Sequence, residues 1–414
     1  MRALWGVLVR HRDYRFLLAA GLVSLTGDWV LSIGLTYYVY AVTGSTMASG
    51  TVLLASFLPQ VLLGSLAGVF VDRWDRRRTM IGANPLLAVG LLPLLAVDGA
   101  DRVWIAYLVV LFESCVEQFF TPAESSLVPH LVAESDLMTA NALNGQNRNL
   151  ARLVGAALGG VAAGVGGVAL VAAVDAATFV LAAGLILLIK ARPRYLVAQR
   201  PSLRDEWRSG LELARNEPTL RLLFVVAAIT SVGEGIIGAL AAPFVRDVLR
   251  GSASAFGTIN AAQAVGGVVS GFAAAAVAHR FAPRSLLAYG AVVFGLLDLA
   301  LFLYPLAYVA VWPAVVCMLL VGLPDAFVTA GELTLFQRAS SDSHRGRVFG
   351  ALGAVQGAAM LAGTLLAGAL GDVIGIVPVI AVQGVGYVVA GVIVAVWMPR
   401  AATPQRPIMQ PLAA

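Results

Sequence analysis

Along most of the chain, apolar residues run unbroken for about 20 positions, then yield to a short polar connector carrying charge, Pro or Gly. A run of roughly 20 apolar residues matches the ~30 Å hydrocarbon layer of a bilayer. This pattern predicts twelve membrane-spanning helices at 16–41, 48–71, 79–98, 103–122, 140–163, 168–190, 219–245, 254–278, 285–304, 308–331, 347–370 and 375–398. The basic N-terminus (Arg2, Arg10, Arg12, Arg15) leads into a stretch too long for a cleaved signal segment, so the first span is expected to be retained. The polar stretch 191–217 reads as an amphipathic cytoplasmic linker, and the Pro-bearing tail 400–414 as disordered. The expected organisation is a six-helix half at 1–190, the linker, and a second six-helix half at 218–399.

The halves repeat each other. At an offset of 207, Gly50-Thr51 matches Gly257-Thr258, Gly64 matches Gly271, Arg73 matches Arg280, and Arg77 matches Arg284. At 208, Glu117, Phe119, Thr121, Glu124 and Leu127 match Asp325, Phe327, Thr329, Glu332 and Leu335; further on, Gly155 and Gly160 match Gly363 and Gly368. The fold class is therefore an all-α membrane protein of two pseudo-symmetric six-helix bundles. Parallel repeats of this kind place a substrate site between the halves near the bilayer midplane.

Composition agrees. The 414 residues are 59% hydrophobic and 12% charged, where a soluble domain is about one quarter charged. The net charge of +5 is not a nucleic-acid signal, because position explains it. With the N-terminus inside, 25 of the 28 Lys and Arg fall on cytoplasmic segments; Arg102, Arg246 and Arg250 fall outside. That asymmetry predicts a multi-pass protein of the cell inner membrane with both termini cytoplasmic. Cys115 and Cys317 sit singly in apolar runs, and the four histidines fall in connectors, so neither a disulfide nor a metal site is expected. No cofactor is expected, and a P-loop for ATP is absent from the sequence.

Between spans 2 and 3 the chain reads Gly68-Val-Phe-Val-Asp72-Arg73-Trp-Asp75-Arg76-Arg77-Arg78. This resembles the signature loop of the major facilitator superfamily. With Pro59-Gln60, Thr121-Pro122-Ala123 through Pro129, Ala140-Asn141, Asp175-Ala176 with Phe179, and Arg345-Gly346-Arg347-Val348, the chain resembles the macrolide and enterobactin exporter branch, often grouped as type-3 drug:proton antiporters. The resemblance implies a cytoplasmic latch of Gly68, Asp72, Arg73, Arg76 and Arg77, with Asp72 accepting hydrogen bonds from a helix N-terminus of the other half. It also implies a central cavity lined by spans 1, 4, 7 and 10. There are departures. The second loop copy has His279 for the Asp and Ala275 for the Gly, and span 5 reads Gly155-Ala156-Ala157-Leu158-Gly159-Gly160, without the proline of the family's antiporter motif. Those glycines are expected to pack against span 11.

An ionisable side chain at bilayer depth is costly and marks function by default. Each cavity helix carries an acid: Asp28, the pair Glu113 and Glu117, Glu234, and Asp325. These are the proton-coupling candidates, since a desolvated carboxyl without a cation favours its neutral form. Arg148 and Arg152 are candidate partners for Glu117 or Glu124. Asp175 and Asp298, on other spans, read as structural. Trp29, Tyr37 and Phe112 are candidates to line an apolar cavity for a small amphiphilic substrate. The expected partners are that substrate, protons and the lipid bilayer, with the protein a monomer. The leading function is proton-coupled drug export by alternating access. A siderophore exporter, a lipid or lysolipid flippase, and a non-transporting receptor or scaffold remain as alternatives; no catalytic constellation supports an enzyme.

Overall fold

The computed structural model describes residues 2–71, 74–191, 217–277, 280–340 and 345–399. A short helix α1 (Arg2–Arg10) leads into α2 (Arg12–Thr43), which is span 1. Spans 2 to 4 follow as α3 (Thr46–Val71), α4 (Arg76–Gly90, extended by a 3-10 turn at Leu92–Ala96) and α5 (Val103–Leu131). Spans 5 and 6 form one bent helix, α6 (Leu137–Leu187), broken at Gly167, whose φ of 59° lies in the left-handed region that glycine tolerates. The second half is α7 (Pro218–Pro243), α8 (Ala253–Val277), α9 (Pro283–Leu303), α10 (Trp312–Ala339), α11 (Arg345–Ile374) and α12 (Ile376–Trp397). All twelve expected spans are thus met. Asp72, Arg73, His279, the linker from 192 to 216 and the tail 400–414 lie outside the described residues.

Local chemistry sets the ends of these helices. Gly44 (φ 64°) stops α2, and Gly375 (φ 93°) separates α11 from α12. The Asp75 carboxylate caps α4 by accepting from the Arg78 amide at 2.9 Å, and Glu217 caps α7 by accepting from the Leu220 amide at 2.6 Å. Within the hydrocarbon every backbone group must be satisfied internally, which favours helices throughout. Large apolar side chains such as Trp104, Leu181, Phe272 and Val396 are exposed, as expected of a surface that meets lipid.

Each half has its own apolar core. One is built on Leu31, Leu35, Leu87, Leu91 and Phe179; the other on Leu220, Leu223, Leu287, Phe294 and Phe336. A third cluster joins the halves: Ile33 and Ala156 pack with Ile236, Ala239, Phe256 and Ile259. The joint lies toward the ends of the helices remote from the chain termini, where polar bonds also cross. Tyr37 donates to the Gly251 carbonyl at 3.0 Å, and Arg246 donates to the Tyr40 carbonyl at 2.9 Å. The Tyr40 hydroxyl bonds the Asp247 carboxylate, and Thr46 donates to the Gly368 carbonyl at 3.1 Å.

The glycines of span 5 do not meet span 11. Gly155 lies against the backbone of Thr26, Gly159 against that of Val30, and Gly160 against Ala253 and Gly257. Their partners are therefore α2 and α8. The reason is the repeat itself. Gly363 and Gly368, the second-half counterparts, lie against Val232 of α7 and Met47 of α3. Each half uses the same glycine ladder on its own first helix and on the other half's second helix, so the two ladders never face each other.

Candidate functional site

Carboxyls gather in two places. In the N-terminal half, Asp28 of α2 and Glu113 and Glu117 of α5 each offer one oxygen, and the three oxygens lie within 4.8 Å of one another. Glu113 and Glu117 are four apart, on one face of α5. They border a cavity of about 170 Å³ whose other walls include Ser32, Thr36, Ser56 and Ser114. The Ser114 hydroxyl is held by the Ser56 carbonyl. Asp175, which sequence reasoning treated as structural, stands behind this trio. It is fully buried, presses against Gly27, and is close enough to Asp28, Glu113 and Glu117 to interact with each. Only the missing side chain of Gly27, next to Asp28, hinted at this approach.

In the C-terminal half, Glu234 of α7 accepts a hydrogen bond from the Tyr387 hydroxyl of α12 at 2.7 Å. The Tyr387 ring stacks on Phe294 at 4.3 Å, and the buried Asp298 and Gln383 flank the group. Asp325 of α10 remains exposed. Arg152 of α6, an N-terminal-half residue, supplies the charge here. Its guanidinium bonds the Gln263 side chain of α8, sits 5.1 Å over the Trp29 ring, and interacts with Asp325 and Glu234. Arg152 is thus turned away from Glu117 and Glu124 and toward the opposite half, while Arg148 is the arginine that interacts with Glu124.

The aromatic candidates part company. Trp29 lies at the joint between halves beneath Arg152, and Tyr37 belongs to the seal remote from the termini, stacked on Phe256 at 6.2 Å. Phe112 packs its ring against Gly90 of α4 and does not border the carboxyl cavity. Of the latch residues, Arg76 donates to the Ser126 carbonyl at 3.1 Å and Arg77 to the Leu187 carbonyl at 2.9 Å. Both bonds stay within the N-terminal half, tying the start of α4 to the ends of α5 and α6. Gly68 lies in α3.

A separate apolar groove of about 630 Å³ opens between α9 and α10, walled by Phe281, Leu286, Tyr289, Val293, Pro324 and Phe327. Its size suits a drug-sized or lipid-like ligand. Pro324 precedes Asp325, so the groove adjoins a cavity acid along α10.

The chain is 25% identical over 360 residues to macrolide efflux protein A of Streptococcus pyogenes, covering 86% of this chain and 88% of that protein. It is 25% identical over 405 residues to the enterobactin exporter EntS of Salmonella paratyphi A, covering 94% and 92%. Among solved structures it superposes on a bacterial homologue of the iron transporter ferroportin in its inward-facing state with a TM-score of 0.75, at 17% identity and 94% and 99% coverage, a likeness of fold alone. The model of the transmembrane secretion effector family matches residues 6–407, so this multi-pass membrane protein belongs to that family of the major facilitator superfamily.

Proposed function

We propose that the protein is a secondary active exporter of small amphiphilic compounds, driven by proton antiport through alternating access. The observation that carries the proposal is the split of cavity carboxyls between two halves that touch mainly at one end. Asp28, Glu113 and Glu117 stand together without a basic partner among the described residues, whereas Glu234 and Asp325 lie within electrostatic reach of Arg152 of the opposite half. Rocking of the halves separates Arg152 from its partners and re-forms the contact, which changes how readily those carboxyls hold protons. The export direction is supported by relatives named as a macrolide efflux protein and an enterobactin exporter.

The concentration of basic residues on one side supports an inner-membrane location with both termini in the cytoplasm. On that orientation the Tyr37, Tyr40 and Thr46 bonds close the outer side, and the conformation is open inward. Substrate then enters from the cytoplasm or the inner leaflet. The apolar groove between α9 and α10 favours a second reading on the same fold, in which the substrate is a lipid-like molecule drawn sideways from the bilayer.

The test is flux in proteoliposomes. Uptake of a macrolide probe into inside-out vesicles is expected to follow an imposed pH gradient, and to lose that dependence in Asp28→Asn, Glu113→Gln and Glu234→Gln. Wild-type flux indifferent to the gradient would rule out proton coupling. Translocation of a fluorescent lysolipid in place of the macrolide would favour the second reading.

A further inference from the structure

The carboxyl pocket of the N-terminal half is too small for the substrates just considered. Its volume of about 170 Å³ equals about six waters at roughly 30 Å³ each, and drug-sized pockets begin near ~300 Å³. Its polar groups are all oxygens, the carboxyls of Asp28, Glu113 and Glu117 with the hydroxyls of Ser32, Thr36 and Ser56, set among apolar walls that include Leu31, Leu35, Val52 and Val110.

Three further observations point to a ligand. Glu113 is 8% exposed and borders the pocket, yet has no hydrogen-bond or ion-pair partner among the described residues. One oxygen of Asp28, Oδ1, is buried without a partner, as is Oδ2 of the fully buried Asp175 behind it. Like charges gathered in a low-dielectric site without a counter-ion are strongly unfavourable. The internal repeat then supplies a control. At the 208-residue offset, Glu113 corresponds to Val321 and Asp175 to Gln383. The C-terminal half groups three acids, Glu234, Asp298 and Asp325; Glu234 accepts from Tyr387 and lies with Asp325 within electrostatic reach of Arg152, while Asp298 Oδ2 is buried without a partner. The N-terminal half groups four and has no such basic partner among the described residues.

We propose that Asp28, Glu113 and Glu117 bind a hard divalent cation, Ca²⁺ or Mn²⁺ in class. Carboxylate and hydroxyl oxygens, with no imidazole or thiolate in the set, select hard cations. Two oxygens bound to one Ca²⁺ stand at most about 4.6–5.2 Å apart, twice the ~2.3–2.6 Å bond, so three oxygens that lie within 4.8 Å of one another are close enough to share one ion. Hydroxyls and water complete a shell of about six to eight. This deepens the transport proposal and rests on it in one respect: the cation and protons compete for the same three carboxyls, so loading one expels the other.

The experiment is a Mn²⁺ titration of the purified full-length protein, following the electron paramagnetic resonance signal of free Mn²⁺, with Ca²⁺ as competitor. One saturable site displaced by Ca²⁺ is expected. Affinity is expected to fall at least tenfold in Glu113→Gln and Asp28→Asn and to hold in Glu234→Gln. A Ca²⁺-dependent rise in the wild-type melting temperature is expected as well, and needs no variant to fold. No binding up to about 1 mM, the weak end of biological Ca²⁺ sites, overturns the proposal. So does unchanged binding in a folded Glu113→Gln protein. Absent binding with pH-driven flux intact removes the metal site alone; binding with flux blind to the pH gradient removes proton coupling alone.

Discussion

The joint between the halves can be probed where it is tightest. Gly160 of α6 and Gly257 of α8 belong to opposite halves and meet backbone to backbone. A Cβ built on Gly160 would stand 2.6 Å from the Ala253 carbonyl oxygen and 2.9 Å from the Gly257 Cα. Non-bonded heavy atoms settle at about 3.5–4.0 Å, so α6 and α8 must part by roughly 1 Å to admit a methyl group. No rotamer change relieves the clash, because both obstructing atoms are backbone. Overpacking of this kind costs about 1–3 kcal/mol. The cost falls only on the state in which these ends touch, so Gly160→Ala should move the conformational equilibrium toward the opposite state by roughly 5- to 150-fold, at about 1.4 kcal/mol per tenfold. Spin labels at Ser45→Cys and Ser254→Cys, in a Cys115→Ala, Cys317→Ala background, would report the separation of α3 and α8 at that end. The expected result is a distance distribution shifted to longer values. Gly164→Ala is the control: it lies four residues along the same helix, where a Cβ meets nothing within 4 Å. If Gly160→Ala leaves the distribution where the wild type and the control have it, the contact is not what holds that end closed.

Three other outcomes follow from the same geometry. Arg152→Lys keeps the charge that faces Glu234 and Asp325 but loses the planar fork that bonds Gln263 and lies over Trp29; on the proposed export function, pH-driven flux is expected to fall about tenfold or more, and a wild-type rate would show that charge alone suffices. Tyr387→Phe strips Glu234 of its donor, which should lower stability by about 1–3 kcal/mol, read as a depressed melting temperature in detergent. Tyr40→Phe removes the side-chain bond to Asp247 between halves and should lengthen the same spin-label distance, by less than Gly160→Ala does.

The number of spans and the two-fold repeat were legible because both are one-dimensional signals: a run length fixed by bilayer thickness, and a constant offset between matched residues. Which way a residue points was far less legible. In a helix that is apolar on every side, no periodicity distinguishes the lipid face from the interior. Phe112 and Glu113 are neighbours in sequence but about 100° apart around the helix axis. The first turns to Gly90 on α4, the second to the carboxyl pocket. Arg152 illustrates the other limit. Glu117 and Glu124 were the partners the sequence suggested, but the acids it faces are more than 80 residues further on, across a joint that no offset within one half encodes.

Asp175 carries this argument a step further. Being on span 6, outside the cavity-lining set, it read as a packing residue, yet it approaches the trio through the gap left by Gly27. In the second half the same register holds Gly233 against Gln383. The contact is therefore a shared element of both halves, and what differs is its charge. Two copies of one six-helix unit have kept the glycine and the approach, while one keeps a carboxyl where the other has a neutral amide. Packing alone gives no reason for that difference, since Asn or Gln would serve a buried hydrogen bond at lower cost than an acid. A carboxyl retained only in the half that also holds Glu113 makes physical sense if that half must attract positive charge and release it again as the two halves rock.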